Sequence, residues 1–256
     1  MNKEKLYRKI RLIFEDVANE LGFIKPEYGS GYKKKIENDI YSLSHSQIIT
    51  QGVMDNKFEF IPSADCTMMQ VEGLWHDLYP LTISVPKEDS MPKGDIEKFK
   101  KLYPATYSVE YDREILRNNY PNNIRETGWL CFDISEQGFE QFKTVLRYIF
   151  TEQLIPKLDK YHSIDILDKM INSKVIISNE DKRIINKHQG LSFRRMILAK
   201  LNDNPLFEEI SQYYLSNLSQ FIVFSKRPGM EHFKNYPYVF EEVYNRLKNL
   251  PHNHIV

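Results

Sequence analysis

Tyr41-Ser42-Leu43-Ser44-His45-Ser46-Gln47-Ile48-Ile49-Thr50 sorts by parity: Tyr41, Leu43, His45 and Ile49 fall on one side, Ser42, Ser44, Ser46 and Thr50 on the other. Side chains of an extended chain alternate between faces, so this stretch reads as a half-buried strand. Asp55-Asn56-Lys57 is a turn signal, and Phe58-Glu59-Phe60 resumes the alternation. Cys66–Val71 and Leu81–Val85 are further strand candidates, and the strand pattern as a whole begins near Tyr28. No long crossover separates these runs. Antiparallel pairing is therefore expected across residues 28–85.

Upstream the period is helical. Leu6, Ile10, Ile13, Phe14, Val17 and Leu21 recur along residues 3–21, and Gly22 stands where a left-handed cap closes a helix. That helix is expected to bury Leu6, Ile10, Ile13 and Val17 against the Leu43 and Ile49 face. Downstream, Asp95–Tyr103 suits a short helix, and Gly128–Asp133 reads as one more strand. Ser135 then caps a long helix to about Tyr161, which Pro156 should kink or break one turn earlier. Ser163 caps another helix, to about Ile171. Three more are expected: over 192–201, after Asn204-Pro205, and over the run from Val239 to Leu250. The fold class is α+β: a mainly antiparallel sheet packed by an N-terminal helix, then a long helix and a helical C-terminal part. Lys174–Asn179 interrupts the helices, which divides the chain into an α+β domain over 1–172 and a helical region over 173–256.

Across 256 residues, 35 basic side chains balance 35 acidic ones, and 41% of residues are hydrophobic. That composition belongs to a globular chain. A neutral balance removes the strongest electrostatic argument for nucleic acid as a partner. No run approaches the ~20 apolar residues of a membrane span. Cys66 and Cys131 lack metal-type spacing and read as reduced, buried thiols of a cytoplasmic protein.

Motifs that announce chemistry are missing. There is no phosphate-cradling glycine loop, no nucleophile elbow and no zinc helix, so no cofactor, metal or catalytic residue is assigned. His252 and His254 form an H-x-H pair at the fraying end of the chain, with no carboxylate nearby in sequence. His45, alternating with Leu43, reads as a core or cross-strand histidine rather than a base. His76-Asp77 beside Trp75 resembles an oriented base but has no identifiable nucleophile. Lys33-Lys34-Lys35, Lys98, Lys100, Lys101 and Arg194-Arg195 are interleaved with aromatics and would bind nucleic acid only if they shared a face. Residues 103–125 carry tyrosines and asparagines without a periodic stripe and read as an exposed, mobile segment. Tyr107, Tyr111 and Tyr120 are therefore the candidate contacts to another protein.

The order of elements resembles a bacterial domain family of unknown function, DUF forty-three-oh-four. The likeness rests on Glu20-Leu21-Gly22-Phe23 followed by Gly31-Tyr32-Lys33-Lys34, then Gln47, Gln51, Gly128-Trp129, Leu154-Ile155-Pro156-Lys157-Leu158, Ser163 and Leu167. It covers residues 3–171, with Pro62 and the long 86–127 insertion as departures. The resemblance implies an α+β scaffold with no assigned catalytic constellation. Some members look like immunity proteins that neutralise toxins. A non-enzymatic protein-recognition module is the expected function, with an enzyme of dispersed site and a lysine-based nucleic-acid binder as alternatives. For the enzyme, a cleft holding a strongly shifted histidine or carboxylate would be the discriminating feature.

Overall fold

A helix stripe and a strand alternation can both be satisfied only by facing each other, and this is how the computed structural model is built. It describes residues 2–27, 31–49, 56–82, 104–176 and 190–251, and the backbone alone over 46–49. The chain divides into two compact units, 1–66 with 108–160 and 67–107 with 161–256. Each unit is discontinuous in sequence, and neither boundary falls at 172/173.

In the first unit, helix α1 (Lys3–Glu20) is opened by Asn2, whose Oδ1 accepts from the Lys5 N–H at 2.9 Å. It closes on Gly22 at φ +80°, with Phe23 N–H donating to Ala18 O and Gly22 N–H to Asn19 O, both at 2.9 Å. Those two bonds satisfy carbonyls that a helix end otherwise strands. Strands β1 (Tyr32–Ile36), β2 (Asp39–Ile49), β3 (Lys57–Thr67), β4 (Tyr107–Val109) and β5 (Leu130–Asp133) form one sheet. Its order is β1-β2-β3-β4, with β5 also paired to β3. β1 and β2 are antiparallel with Tyr32 opposite Leu43, and β5 runs antiparallel to β3 from Lys57↔Asp133 to Phe60↔Leu130. Pro62 follows the end of that β5 ladder, so its missing donor breaks no rung there.

One sheet face is aromatic. Phe58, Phe60 and Phe132 meet Phe14 of α1 and Phe139 and Phe142 of α2 (Glu136–Tyr148), with ring centroids 4.9–5.7 Å apart. Each ring, fully buried, stabilises by ~1.5–3 kcal/mol. Leu6, Ile10, Phe14 and Val17 are buried as the stripe requires, whereas Ile13 sits at the stripe's edge, half-buried. Ser135 Oγ caps α2 through the Gly138 N–H at 3.1 Å. The expected break before Pro156 takes the form of a π-helical turn over Ile149–Leu154, after which the helix resumes as α3 (Ile155–Tyr161). A wider turn accommodates the proline that cannot donate.

The second unit is helical around α5 (Leu191–Leu201), which is buried on nearly every side, even at Arg194 and Arg195. With it stand α4 (Ile164–Ile171), capped by Ser163, α6 (Phe207–Leu215), α7 (Ser219–Phe224) and α8 (Tyr236–Lys248). The excursion after β3 joins this unit: a helical turn at Met69–Glu72 carries Glu72, and Trp75 follows.

Several expectations are corrected. The strand expected over Cys66–Val71 ends at Thr67 and turns helical at Met69, with the Met68 N–H held by Thr106 Oγ1 at 2.9 Å. Leu81 lies in a 3-10 turn, not a strand. The helix after Asn204-Pro205 begins at Phe207, two residues later than expected, although Asn204 Oδ1 does accept from the Leu206 N–H at 2.9 Å as a cap would. Tyr28, Asp55, 83–85, Asp95–Tyr103 with Lys98, Lys100 and Lys101, 177–179, His252 and His254 lie outside the described residues. Among the described residues no helix is long and apolar enough to cross a membrane.

Candidate functional site

Tyr107, Tyr111 and Tyr120 do not form an exposed patch. Tyr107 lies in β4 and is fully buried; Tyr111 is also buried, its hydroxyl donating to Gly128 O at 2.6 Å. Burial pushes the Tyr111 hydroxyl up to about 12. Tyr120 is half-exposed and meets Tyr148 edge-on at 5.2 Å. The stretch expected to be loop is strand β4 and then a helix, Arg113–Asn119, capped by Asp112 Oδ1 on two N–H groups. Leu116 is that helix's only buried residue, so it shows no stripe in sequence. Tyr107 and Tyr111 are core; Tyr120 is not.

The basic clusters separate as well. Neighbours along β1 alternate faces, so Lys33 and Lys34 cannot act together. Lys34 Nζ donates to Leu21 O at 3.0 Å and lies 5.7 Å from the Phe23 ring centroid. Arg194 is paired with Glu72 at 2.7 Å, both side chains wholly buried. Arg195 donates to the carbonyls of Ile171, Lys174 and Val175, to Asn172 Oδ1 and to Tyr214 Oη. This arginine pair is scaffold. Beside His76, the Asp77 carboxylate takes two guanidinium bonds from Arg246 at 2.7 and 2.9 Å, which hold its carboxyl below the usual range. Cys66 and Cys131 are buried and form no disulfide. No three His, Cys, Asp or Glu side chains converge as metal ligands among the described residues.

A site does form where α1 crosses β1 and β2, inside the first unit. Arg11, Phe14 and Glu15 from α1, Lys25 from the segment after it, Gly31 and Tyr32 at β1, and Ser44 and His45 of β2 enclose a cavity of about 520 Å³. That is the size range of small-molecule pockets. The helical period places Arg11 and Glu15 one turn apart, with Phe14 beside them. The deep wall is aromatic: Phe14 stands 5.4 Å from the Tyr32 ring and 5.5 Å from the His45 ring. Arg11 and Lys25 are exposed and supply positive charge at the rim. Burial, and then the Glu15 carboxylate that accepts from it, pushes the Tyr32 hydroxyl up to about 12. The Glu15 carboxylate is thereby engaged with the wall.

His45 is the unusual member. Its ring is flanked by Phe14 and by Phe60, at 5.1 Å, and its Nδ1 is buried with no hydrogen-bond partner. Burial, then the Arg11 charge, lowers its pKa and so favours the neutral imidazole. A neutral imidazole nitrogen without a partner can accept a hydrogen bond, and burying it unpaired is costly. Behind it, Ser44 Oγ and Ser63 Oγ share a bond at 2.8 Å, and Asp65 accepts from Ser108 and Ser44. Burial raises the Asp65 carboxyl, but its bonds are made within the sheet.

Sequence reasoning placed His45 on the core side of its strand but expected it satisfied. Arg11, Glu15, Lys25 and Tyr32 were missed. Their only local sign is a charged pair flanking Phe14; their convergence depends on the angle at which α1 meets the sheet. Comparison with protein-family models, with curated proteins and with solved structures finds no match for this chain.

Proposed function

We propose that the first unit is a non-enzymatic recognition module that binds a small organic anion in the α1–sheet cavity. The observation that carries it is the cavity of about 520 Å³ whose lining brings Arg11 and Lys25 together beside Phe14, Tyr32 and His45. Binding is favoured over catalysis because a base needs an orienting partner and a nucleophile within reach. The His45 ring instead has phenylalanines on both sides. Two cations against one engaged carboxylate leave the rim suited to a negative ligand. The test is a titration with benzoate, phenyl phosphate and acetate, followed by NMR at the His45 imidazole and the Tyr32 ring. Saturable shifts at both groups are expected for at least one anion, with affinity reduced at least tenfold in the Arg11→Ala/Lys25→Ala double variant. If no anion moves either resonance at millimolar concentration, the reading fails.

A second reading, recognition of another protein, is favoured by a separate feature of the helical unit. Ile222 and Val223 of α7, with Met230 and Tyr238, are 42–59% exposed. Exposed apolar groups collected on adjoining elements mark contact surfaces. An immunity-type role would use such a surface. A photo-crosslinker at position 223 should then capture one discrete partner, which Val223→Glu should abolish; scattered capture that survives the substitution counts against it.

A further inference from the structure

Independently of the cavity in the first unit, we infer that the helical unit docks on an anionic lipid surface through the hairpin tip that presents Ile222, Val223, Lys226, Arg227 and Met230. The hairpin runs from α7 into the 3-10 turn Glu231–Asn235. Phe221 and Phe224, three residues apart, share the inner face of α7 and both meet Phe233, at 6.1 and 6.2 Å between ring centroids. Phe221 also reaches Tyr236 and Phe240 of α8, at 5.0 and 5.5 Å. The two residues between those rings, Ile222 and Val223, are left exposed, and so is Met230 across the turn. Residues 226–231 are exposed without a break, and a Cβ on Gly229 would meet nothing within 4 Å. The tip therefore projects into solvent, already folded on an aromatic base, and pays little ordering entropy on docking.

Two features favour a bilayer over a protein as the occupant of this surface. The first is charge. Residues 219–235 carry Lys226, Arg227 and Lys234 against Glu231 alone, three cations to one carboxylate. Glu231 Oε1 accepts the Gly229 N–H at 3.1 Å, so the carboxylate is committed to the hairpin's own backbone. Among the described residues none of the three cations has a carboxylate within ion-pair distance; the Arg227 guanidinium stands 5.1 Å from the Phe224 ring centroid. Cations beside exposed aliphatic groups complement a layer of lipid phosphates above acyl chains. The second feature is the backbone. Acyl chains offer no hydrogen-bond partners, so a turn that dips toward them must satisfy its own N–H groups. Here Ser225, Lys226, Arg227 and Met230 donate to the carbonyls of Phe221, Val223, Phe224 and Arg227 at 2.9–3.3 Å, Gly229 donates to Glu231, and Pro228 has no N–H. No donor from Ser225 to Met230 is left asking for a partner's carbonyl.

The test uses the whole chain and vesicles of phosphatidylcholine with or without about 30% phosphatidylglycerol. Sedimentation should show at least tenfold tighter binding to the anionic vesicles. Raising NaCl from about 0.1 to about 0.5 M should weaken that binding at least tenfold, because salt screens exposed charge. The Lys226→Gln/Arg227→Gln double variant should lose at least tenfold as well. Val223→Trp reports insertion: its emission should move to shorter wavelength with anionic vesicles, beyond any change the wild type shows. Equal binding to neutral and anionic vesicles, no binding to either, or a Val223→Trp emission that vesicles leave unchanged overturns the proposal. So does capture of one discrete protein by a cross-linker at position 223 in a chain that binds no vesicle, which gives the surface to a protein partner. The vesicle ranking is measured on the unmodified chain and stays decisive even if a variant does not fold, and none of these outcomes bears on anion binding by the first unit.

Discussion

At the scale of single residues, His45 and Glu72 have opposite fates. His45 leaves its buried Nδ1 unpaired, whereas both carboxylate oxygens of Glu72 are engaged. Its Oε1 accepts from Arg194 Nε at 2.7 Å, and its Oε2 accepts from Arg194 Nη2 at 3.0 Å and Trp75 Nε1 at 3.1 Å. Both charges are fully withdrawn from water, so removing either leaves the other uncompensated. Glu72→Gln, which preserves an acceptor for Trp75, is expected to lower the unfolding free energy by about 3–5 kcal/mol. Arg194→Met in the Glu72→Gln background should return a large part of that loss. Urea unfolding of the wild type, the singles and the double gives the coupling; losses that simply add would show the pair to be independent.

At the scale of elements, helix ends decide where the first unit turns. Gly22 closes α1 at φ +80°, and a Cβ there would meet only the Lys34 side chain at 3.5–4.0 Å, an ordinary contact. Gly22→Ala should thus cost only the left-handed backbone penalty, about 1–2 kcal/mol. Gly138, in the first turn of α2, is different: a Cβ there would collide with Asp133 O, a backbone atom with nowhere to retreat. Gly138→Ala should be the more damaging substitution, with a larger drop in Tm by calorimetry. The reverse order would mean that the first turn of α2 shifts readily. The π turn belongs to the same scale: Gln153 within it reaches back to accept the Asp112 N–H at 2.6 Å, at the residue that caps the Arg113–Asn119 helix.

At the scale of the whole molecule, the chain leaves the sheet after β3 and returns at β4, and the excursion belongs to the helical unit. The helical residues beyond 172 are accordingly not self-sufficient, since Arg194 has its carboxylate in the excursion and its indole neighbour there too, with Trp75 5.4 Å from the guanidinium. A fragment spanning 173–256 should fail to fold cooperatively, because a buried guanidinium without its anion is expensive. Near-UV circular dichroism and a thermal melt test this. A sharp transition in the isolated fragment would show that Arg194 finds another partner.

The α+β class, the N-terminal helix with its Gly22 cap, the strand over 40–49 and the Ser135 and Ser163 caps were all legible in sequence. Each rests on period or on a capping residue, which are forces acting between near neighbours. The alternation of Tyr41, Leu43 and His45 even gave the face that the histidine occupies. Tertiary structure alone decided that Arg194 and Arg195 are core, because a charge run reads as solvent-facing until a distant carboxylate and a set of carbonyls are brought to it. It also buried Tyr107 and Tyr111, whose short elements repeat too few apolar positions to register. The cavity lies beyond sequence for the same reason: Arg11, Lys25, Tyr32 and His45 meet only through the angle between a helix and a sheet. That angle is set by the packing of Phe14, Phe60 and Phe142, not by any local preference.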